Sequence, residues 1–316
     1  MAIAGALFFA LAPAVATVDP GSVPVLPLQG QGGRMPMSGV GMCCRSSARG
    51  DAARQGVLDF LLQGGRHLDT AQIYGNHKEV GAGVRQALER GVPREEIFLT
   101  TKIWPDDFGW ERTMAWVPRM LDELGLEYVD LVLLHMARAD GKDCGAPKQC
   151  RQETWLALQR FQNKGQIRAL GVSNFGPRQM QELADLGGAP VAANQLEYHP
   201  WVPDVHRKTV DWCHRNGVAV TAYGSMGSNS YAPQIISQGA LQQIGDWHGK
   251  TAGQILLRWA IQQNVSVIPG TSNPKHQSEN LQIFDFELGS QEMALLDGIP
   301  ESERMLYFGH TPDEFE

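Results

Sequence analysis

The chain has 316 residues, 43% of them hydrophobic and 19% charged, long enough to bury about three-quarters of its surface without metal or disulfide staples. A formal net charge of −7, with Lys and Arg dispersed along the chain, argues against a nucleic-acid backbone or a membrane surface as partner. Five Cys with no CxxC pair indicate neither a zinc framework nor a full disulfide framework, and no metal-ligand set is expected.

Met1 to Ala16 is almost wholly apolar, short for a bilayer span, and ends in Ala14-Val15-Ala16, a small-residue pattern of the kind that precedes signal-peptide cleavage. No Lys or Arg precedes the apolar run, so a targeting peptide and a plain extension both fit, and the compartment stays open. Thr17 to Pro27 is rich in Pro and Val and reads as a linker. The expected division is an apolar segment and linker over 1–24 and one folded unit over 25–316.

Leu26 to Met42 carries Gln29-Gly30-Gln31-Gly32-Gly33 between apolar ends and predicts a hairpin cap. Met37 to Met42 is the expected first strand of the series that follows. His67 to Asp69, Ile97 to Lys102, Tyr128 to His135, Ile167 to Ser173, Val191 to Leu196, Val218 to Tyr223 and Val265 to Pro269 read as further strands. Between them lie helical stripes: Val80, Val84, Ala87 and Leu88, and again Ile255, Leu256, Trp259 and Ala260. Pro118 interrupts a regular pattern through Met114, Val117, Leu121 and Leu124, so that helix is expected to start late, with Pro118 in its first turn. Asp140 to Cys150 forms a long loop, and Cys144 and Cys150 are equally compatible with a bridge and with free thiols. Eight β-then-α units in a row require parallel strands and favour one closed (β/α)8 TIM barrel with the hairpin at its bottom.

Polar residues close nearly every expected strand: Asp69, Lys102, His135, Ser173-Asn174, Gln195 and Tyr223. Taken singly, a histidine after an apolar strand is usually a satisfied core residue, and Asp or Asn usually caps the next helix. Together they occupy the C-terminal mouth of a barrel, where catalytic groups gather. Lys102 is the hardest to explain away, because a buried strand-end lysine needs a carboxylate. Asp69 is the natural partner.

Gly65-Arg66-His67-Leu68-Asp69-Thr70-Ala71, with Tyr74-Gly75-Asn76 and Glu79-Val80-Gly81, resembles the first signature of the aldo-keto reductase superfamily. The resemblance continues in order through Thr101-Lys102-Ile103-Trp104, Leu133-Leu134-His135, Gly171-Val172-Ser173-Asn174-Phe175, Asn194 to Pro200, Ala222-Tyr223 and Asn280 to Phe286. It covers about Leu26 to Leu288. It implies a reductase that converts aldehydes or ketones to alcohols with a nicotinamide cofactor, with Asp69, Tyr74, Lys102 and His135 as its tetrad.

Those residue types suit the chemistry. Hydride delivery to a carbonyl carbon leaves an alkoxide-like oxygen that must be stabilised and protonated. A free tyrosine has a pKa of about 10, so a neighbouring ammonium that stabilises the phenolate makes it a better acid. Lys102 is expected to do this for Tyr74, with Asp69 orienting the ammonium and His135 hydrogen-bonding the carbonyl oxygen. The resemblance further implies Ser173, Asn174 and Gln195 on the nicotinamide carboxamide and Tyr223 stacked on its ring. Ser225 and Gly227 are then expected in the loop facing the pyrophosphate, and Thr271, His276, Glu279 and Asn280 at the adenosine end. Gly81-Ala82-Gly83-Val84-Arg85-Gln86-Ala87 matches a GxGxxA dinucleotide fingerprint, but it sits inside a helical pattern rather than after a strand. It is expected to serve helix packing.

The sequence departs from the family in two places. Basic residues that commonly hold the 2′-phosphate fall on Gly270 and His276, so NADP(H) is expected as cofactor with NAD(H) a serious competitor. The aromatic residues that usually line the substrate pocket are replaced around Met42 and Cys43 and at Met136, which with Trp104 and the tail residues Tyr307, Phe308 and Phe315 are the candidate walls of an adaptable pocket. The expected partner is a small carbonyl substrate and the expected state a monomer. The alternative reading is a cofactor-binding regulatory subunit, of the kind that serves channels, with little turnover.

Overall fold

A computed structural model describes residues 17–138, 144–227, 239–299 and 312. The apolar segment 1–16 and the tail residues Tyr307, Phe308 and Phe315 lie outside the described residues. Strands β1 (Val25–Pro27) and β2 (Arg34–Pro36) pair antiparallel through the Gly-rich turn. This hairpin abuts the N-terminal ends of later strands: Gln29 Nε2 donates to Asn216 O at 2.6 Å, just ahead of the ninth strand. It therefore closes the bottom of the barrel, as the glycine-flanked pattern predicts.

Eight strands build the barrel: β3 (Gly39–Gly41), β4 (His67–Asp69), β5 (Phe98–Ile103), β6 (Val129–Leu134), β7 (Ile167–Ser173), β8 (Ala193–Glu197), β9 (Ala219–Tyr223) and β10 (Val265–Val267). They pair parallel in sequence order. The seam closes through the Ser38–Val267 bridge and the bond from Val267 N to Met37 O at 2.8 Å. Because helices cover the outer face and side chains fill the inside, β5 and β6 are buried at every position, polar Thr100, Thr101, Lys102 and Asp130 included. Among the described residues no helix is long and apolar enough to cross a membrane.

Helix α1 (Gly50–Leu62) packs on α2 (His77–Glu89). A Cβ on Gly83 would lie 2.6 Å from Arg54 O, and one on Gly81 would collide with Leu124 O. The GxGxxA stretch thus permits close helix contact. The helix Ala252–Gln262 begins with a reciprocal cap, in which Thr251 Oγ1 accepts from Gln254 N and Gln254 Oε1 accepts from Thr251 N, satisfying two donors the first turn leaves free.

The expectation for Pro118 is corrected. Helix α3 spans Trp110–Leu124 with Pro118 in its interior. The buried face of Thr113, Trp116, Val117, Met120, Leu121 and Leu124 holds the helix through the break. Pro118 itself is exposed, off that buried face. The two cysteine states left open by the sequence are resolved: Cys144 and Cys150, with Cα atoms 5.0 Å apart, form a disulfide ahead of and inside α4 (Pro147–Asn163). Cys213 is free and buried.

His67 in β4 is fully buried, with Nδ1 3.0 Å from Pro36 O and Nε2 3.2 Å from Thr100 Oγ1. The carbonyl can only accept, so Nδ1 carries the proton and a neutral ring satisfies both contacts. Burial pushes His67 down to about 4, against a smaller upward pull from Asp69. An unfolded histidine titrates near about 6.5, so below that pH the unfolded chain takes up a proton that the folded chain refuses. The stabilisation is complete above that range and is lost as pH falls toward 4. In urea unfolding between pH 7 and 4.5, His67→Asn is expected to flatten the pH dependence by at most about 1.4 kcal/mol per pH unit, most strongly between about pH 6 and 5; an unchanged slope contradicts the assignment.

Candidate active site

Alternation along the strands gathers the polar residues on one face. Asp69 is level with Thr100, two residues before Lys102 on the same side of β5. Lys102 is level with Leu133, two before His135, and Leu133 with Gly171, two before Ser173. Ser173 pairs with Gln195, and Gln195 with Thr221, two before Tyr223. Side chains two apart on a strand share a face and registered neighbours point the same way. All six therefore face the barrel interior at its C-terminal end.

Lys102 Nζ donates to Asp69 Oδ1 at 2.8 Å, Asp69 Oδ2 at 2.7 Å, Thr70 O at 3.1 Å and Tyr74 Oη at 3.1 Å. Burial pushes the Lys102 ammonium below its ordinary pKa, and the Asp69 carboxylate opposes that pull. Tyr74 ends a short turn, Gln72–Tyr74, that Gly75 closes in the left-handed region at φ 62°. Asn76 fixes this turn to the loop after β3: its Nδ2 donates to Met42 O and Ala48 O, and its Oδ1 accepts from Thr70 Oγ1 at 2.6 Å. The phenol is thus aimed at the ammonium by contacts on both sides.

His135 lies edge-on to Tyr74 and Trp104, with ring centroids 5.7 and 5.0 Å away. Burial first, and the Lys102 charge second, hold it well below the ordinary histidine pKa. Its imidazole is neutral near pH 7, and Nδ1 has no partner. Across the mouth, Tyr223 Oη donates to Asn174 Oδ1 at 2.7 Å, while Asn174 Nδ2 reaches His135 O, Met136 Sδ and Ser173 Oγ. Ser173 Oγ donates to Gln195 O at 3.0 Å, and Gln195 Nε2 donates to Asp69 Oδ1 at 2.8 Å. The same carboxylate therefore holds both an ammonium and an amide.

A cavity of about 290 Å³ opens over these groups. Asp69, Tyr74, His135, Ser173, Asn174, Gln195 and Tyr223 line it, together with Cys43, Ser225 and Gly227. Lys102 lies behind Tyr74, fully buried. A second space of about 180 Å³ is bounded by Met42, Cys43, Ala48, Ile73, Trp104 and His135 among others. Met136 departs from its expected place: it is buried, with its sulfur under Asn174, and lines neither cavity. Thr271, His276, Glu279 and Asn280 follow the cavity wall that ends at Gly270, but do not line it. His276 is exposed, whereas Asn280 is buried in the helix Pro274–Leu281. Sequence reasoning missed Arg45 and Ile73 as wall residues. The usable signal for Arg45 was its position in the loop leaving the first barrel strand, at the mouth where such loops build sites.

The model of the Aldo/keto reductase family matches residues 45–301. The chain belongs to that family. It is 36% identical over 283 residues to a 9,11-endoperoxide prostaglandin H2 reductase of Trypanosoma cruzi, covering 89% of this chain and 93% of the relative. It is 35% identical to the glyoxal reductase of Bacillus subtilis, covering 90% of this chain and 94% of the relative. Among solved structures, an aldo-keto reductase of Bombyx mori in complex with NADP superposes with a TM-score of 0.82 at 29% identity, covering 95% of this chain and 99% of that one. As a member of the aldo/keto reductase family the chain is an NAD(P)H-dependent oxidoreductase of carbonyl compounds.

The cavity fits a nicotinamide dinucleotide. Tyr223 offers an aromatic plane, Ser173, Asn174 and Gln195 offer directional polar groups, and Gly224 and Gly227 adopt φ of 63° and 82°, which allows backbone N–H groups to turn toward an anion.

The buried ion pair sets a stability test. Removing one partner of such a pair leaves an uncompensated charge and costs about 3–5 kcal/mol. Lys102→Met is expected to lose stability on that scale in urea unfolding, and adding Asp69→Asn is expected to recover part of it. Equal stability of Lys102→Met and the unaltered chain rules out the pair as described.

Proposed function

We propose that Tyr74 is the general acid of an aldehyde or ketone reductase, with Lys102 tuning it, Asp69 orienting Lys102, and His135 positioning the carbonyl. The observation that carries this reading is the 3.1 Å contact between Lys102 Nζ and Tyr74 Oη beneath the cavity. NADPH, when bound, supplies the hydride. Lys102 stabilises the phenolate that forms when Tyr74 gives its proton to the carbonyl oxygen. Asp69 keeps the ammonium in place, and its second contact, to Gln195, ties the acid to the amide cluster that orients the nicotinamide. His135, held neutral, has one N–H to donate to the same oxygen and adds no competing positive charge beside Lys102.

The second cavity is small, and its walls of Met42, Ala48, Ile73 and Trp104 are apolar. That supports a small carbonyl substrate, in keeping with the glyoxal named for one relative. All of these groups come from one chain, so the proposed chemistry needs no residue from a second copy.

General acid catalysis of this kind is typically worth about 10²–10⁴-fold. Tyr74→Phe is expected to lower kcat on that scale with small aldehydes, followed as NADPH oxidation, while cofactor binding persists. Full activity in that variant removes the acid assignment, and binding without turnover in the unaltered chain favours a regulatory role. At the adenosine end, Gly270 carries no side chain and His276 is exposed. We therefore expect the Kd values for NADPH and NADH to lie within about tenfold, or about 1.4 kcal/mol. A far larger preference for NADPH, measured by fluorescence titration, contradicts this.

A further inference from the structure

We infer that Arg49 reads an anionic group on the substrate, so that this chain favours small aldehydes or ketones that carry a carboxylate or a phosphate; this rests on the reductase reading of the site. The smaller cavity, beside Trp104 and His135, is bounded by Arg45 and Arg49 and, among the described residues, by no Asp or Glu. In a chain with a formal net charge of −7, two guanidinium groups on one small wall run against the overall balance. A third stands close by, since Arg138 Cζ lies 5.6 Å from the ring centroid of Trp104. A cleft lined by one sign of charge focuses its field and gathers ions of the other sign.

The two lining arginines differ in what holds them. Arg45 borders both cavities, and its Nη1 is tied back to Gly41 O at 2.8 Å and Cys43 O at 3.2 Å. Arg49 borders the smaller cavity alone, and its side chain makes no hydrogen bond or ion pair among the described residues. Asp51, two residues on, is taken by Arg54 at 2.7 Å. Arg49 does not serve the helix it precedes either. It is the N-cap of α1 and makes no side-chain cap hydrogen bond, and a positive charge has the wrong sign for a helix N-terminus. Its backbone is nevertheless fixed: Ala48 O, just before it, accepts from Asn76 Nδ2 at 2.9 Å, and Arg49 O accepts from Ala53 N at 3.4 Å. The root is anchored and the guanidinium is exposed, so its fork is open to a ligand.

The cavity therefore holds two kinds of polar group. Tyr74 and His135 offer single hydrogen bonds suited to a carbonyl oxygen, and His135, held neutral by burial and by Lys102, does not compete for an anion. The Arg49 fork instead matches two oxygens of a carboxylate or phosphate. The two functional groups of an anionic aldehyde thus have separate places, and a volume of about 180 Å³ keeps the carbon chain between them short.

The test compares kcat/KM, followed as NADPH oxidation, for succinic semialdehyde against its methyl ester and for glyceraldehyde 3-phosphate against glyceraldehyde. It uses the unaltered chain, Arg49→Gln and Arg49→Glu. An exposed ion pair is worth up to about fivefold in binding, so the unaltered chain is expected to favour the anion of at least one pair by about that factor. The two pairs separate carboxylate from phosphate as the source of the charge. Arg49→Gln is expected to bring the ratio to about one, chiefly through KM, and Arg49→Glu to reverse it. Raising the ionic strength is expected to shrink the ratio in the unaltered chain. Melting temperature establishes that each variant is folded, and Arg49→Glu carries the comparison should Arg49→Gln fail to fold. A preference that survives both substitutions belongs to another residue and overturns the inference. A rise in the Kd for NADPH that accounts for the loss places Arg49 on the cofactor and overturns it too. If the unaltered chain reduces none of the four aldehydes, the reductase reading fails and Arg49 falls with it. If it reduces them without preference within either pair, only the Arg49 assignment fails.

Discussion

A fully buried ammonium at the mouth of the barrel organises everything around it. Lys102 sits near the end of a strand that is buried along its whole length, and its charge is tolerated only because Asp69 meets it with both carboxylate oxygens. Such pairs contribute little net stability compared with apolar packing. What this one provides is direction: the remaining donor capacity of the ammonium goes to Thr70 O and Tyr74 Oη. The carboxylate also accepts from Gln195, on the far side of the barrel, so one buried negative charge sets the positions of two otherwise unrelated walls.

The eight-stranded topology serves this arrangement by register. Because registered neighbours point to the same face, shifting any of β5 to β8 by one residue would turn its polar end residue away from the mouth. The apolar residues on the other face of these strands, Leu99, Val132, Leu170 and Leu196, are all buried, and such a shift would turn them out of their packing. Local chemistry at the top is therefore specified largely by packing below it.

Much of this was legible in the sequence. His67–Asp69 and Ile167–Ser173 have the strand bounds their residue types predict, and a strand-end lysine that must find a carboxylate led to Asp69 before any coordinates. The illegible parts share a cause. Pro118 stays inside α3 because tertiary burial on the opposite face outweighs a lost hydrogen bond, a balance that local propensity does not contain. Met136 turns beneath Asn174 through a contact between residues 38 apart. Arg45 lies in an irregular loop held by Asn76, well downstream, so its place after the first barrel strand put it near the mouth without fixing where its side chain goes. Patterns with a period were readable; partners chosen across the chain were not.

The amide of Asn76 separates two kinds of variability. By clamping Met42 and Ala48 it isolates the intervening stretch, Cys43 to Ser47, from the turn that presents the phenol. Substitutions inside that bracket can reshape what the mouth recognises while the proton donor keeps its aim. The barrel thus has a segment free to diversify in ligand taste, insulated by a single side chain from the chemistry it feeds.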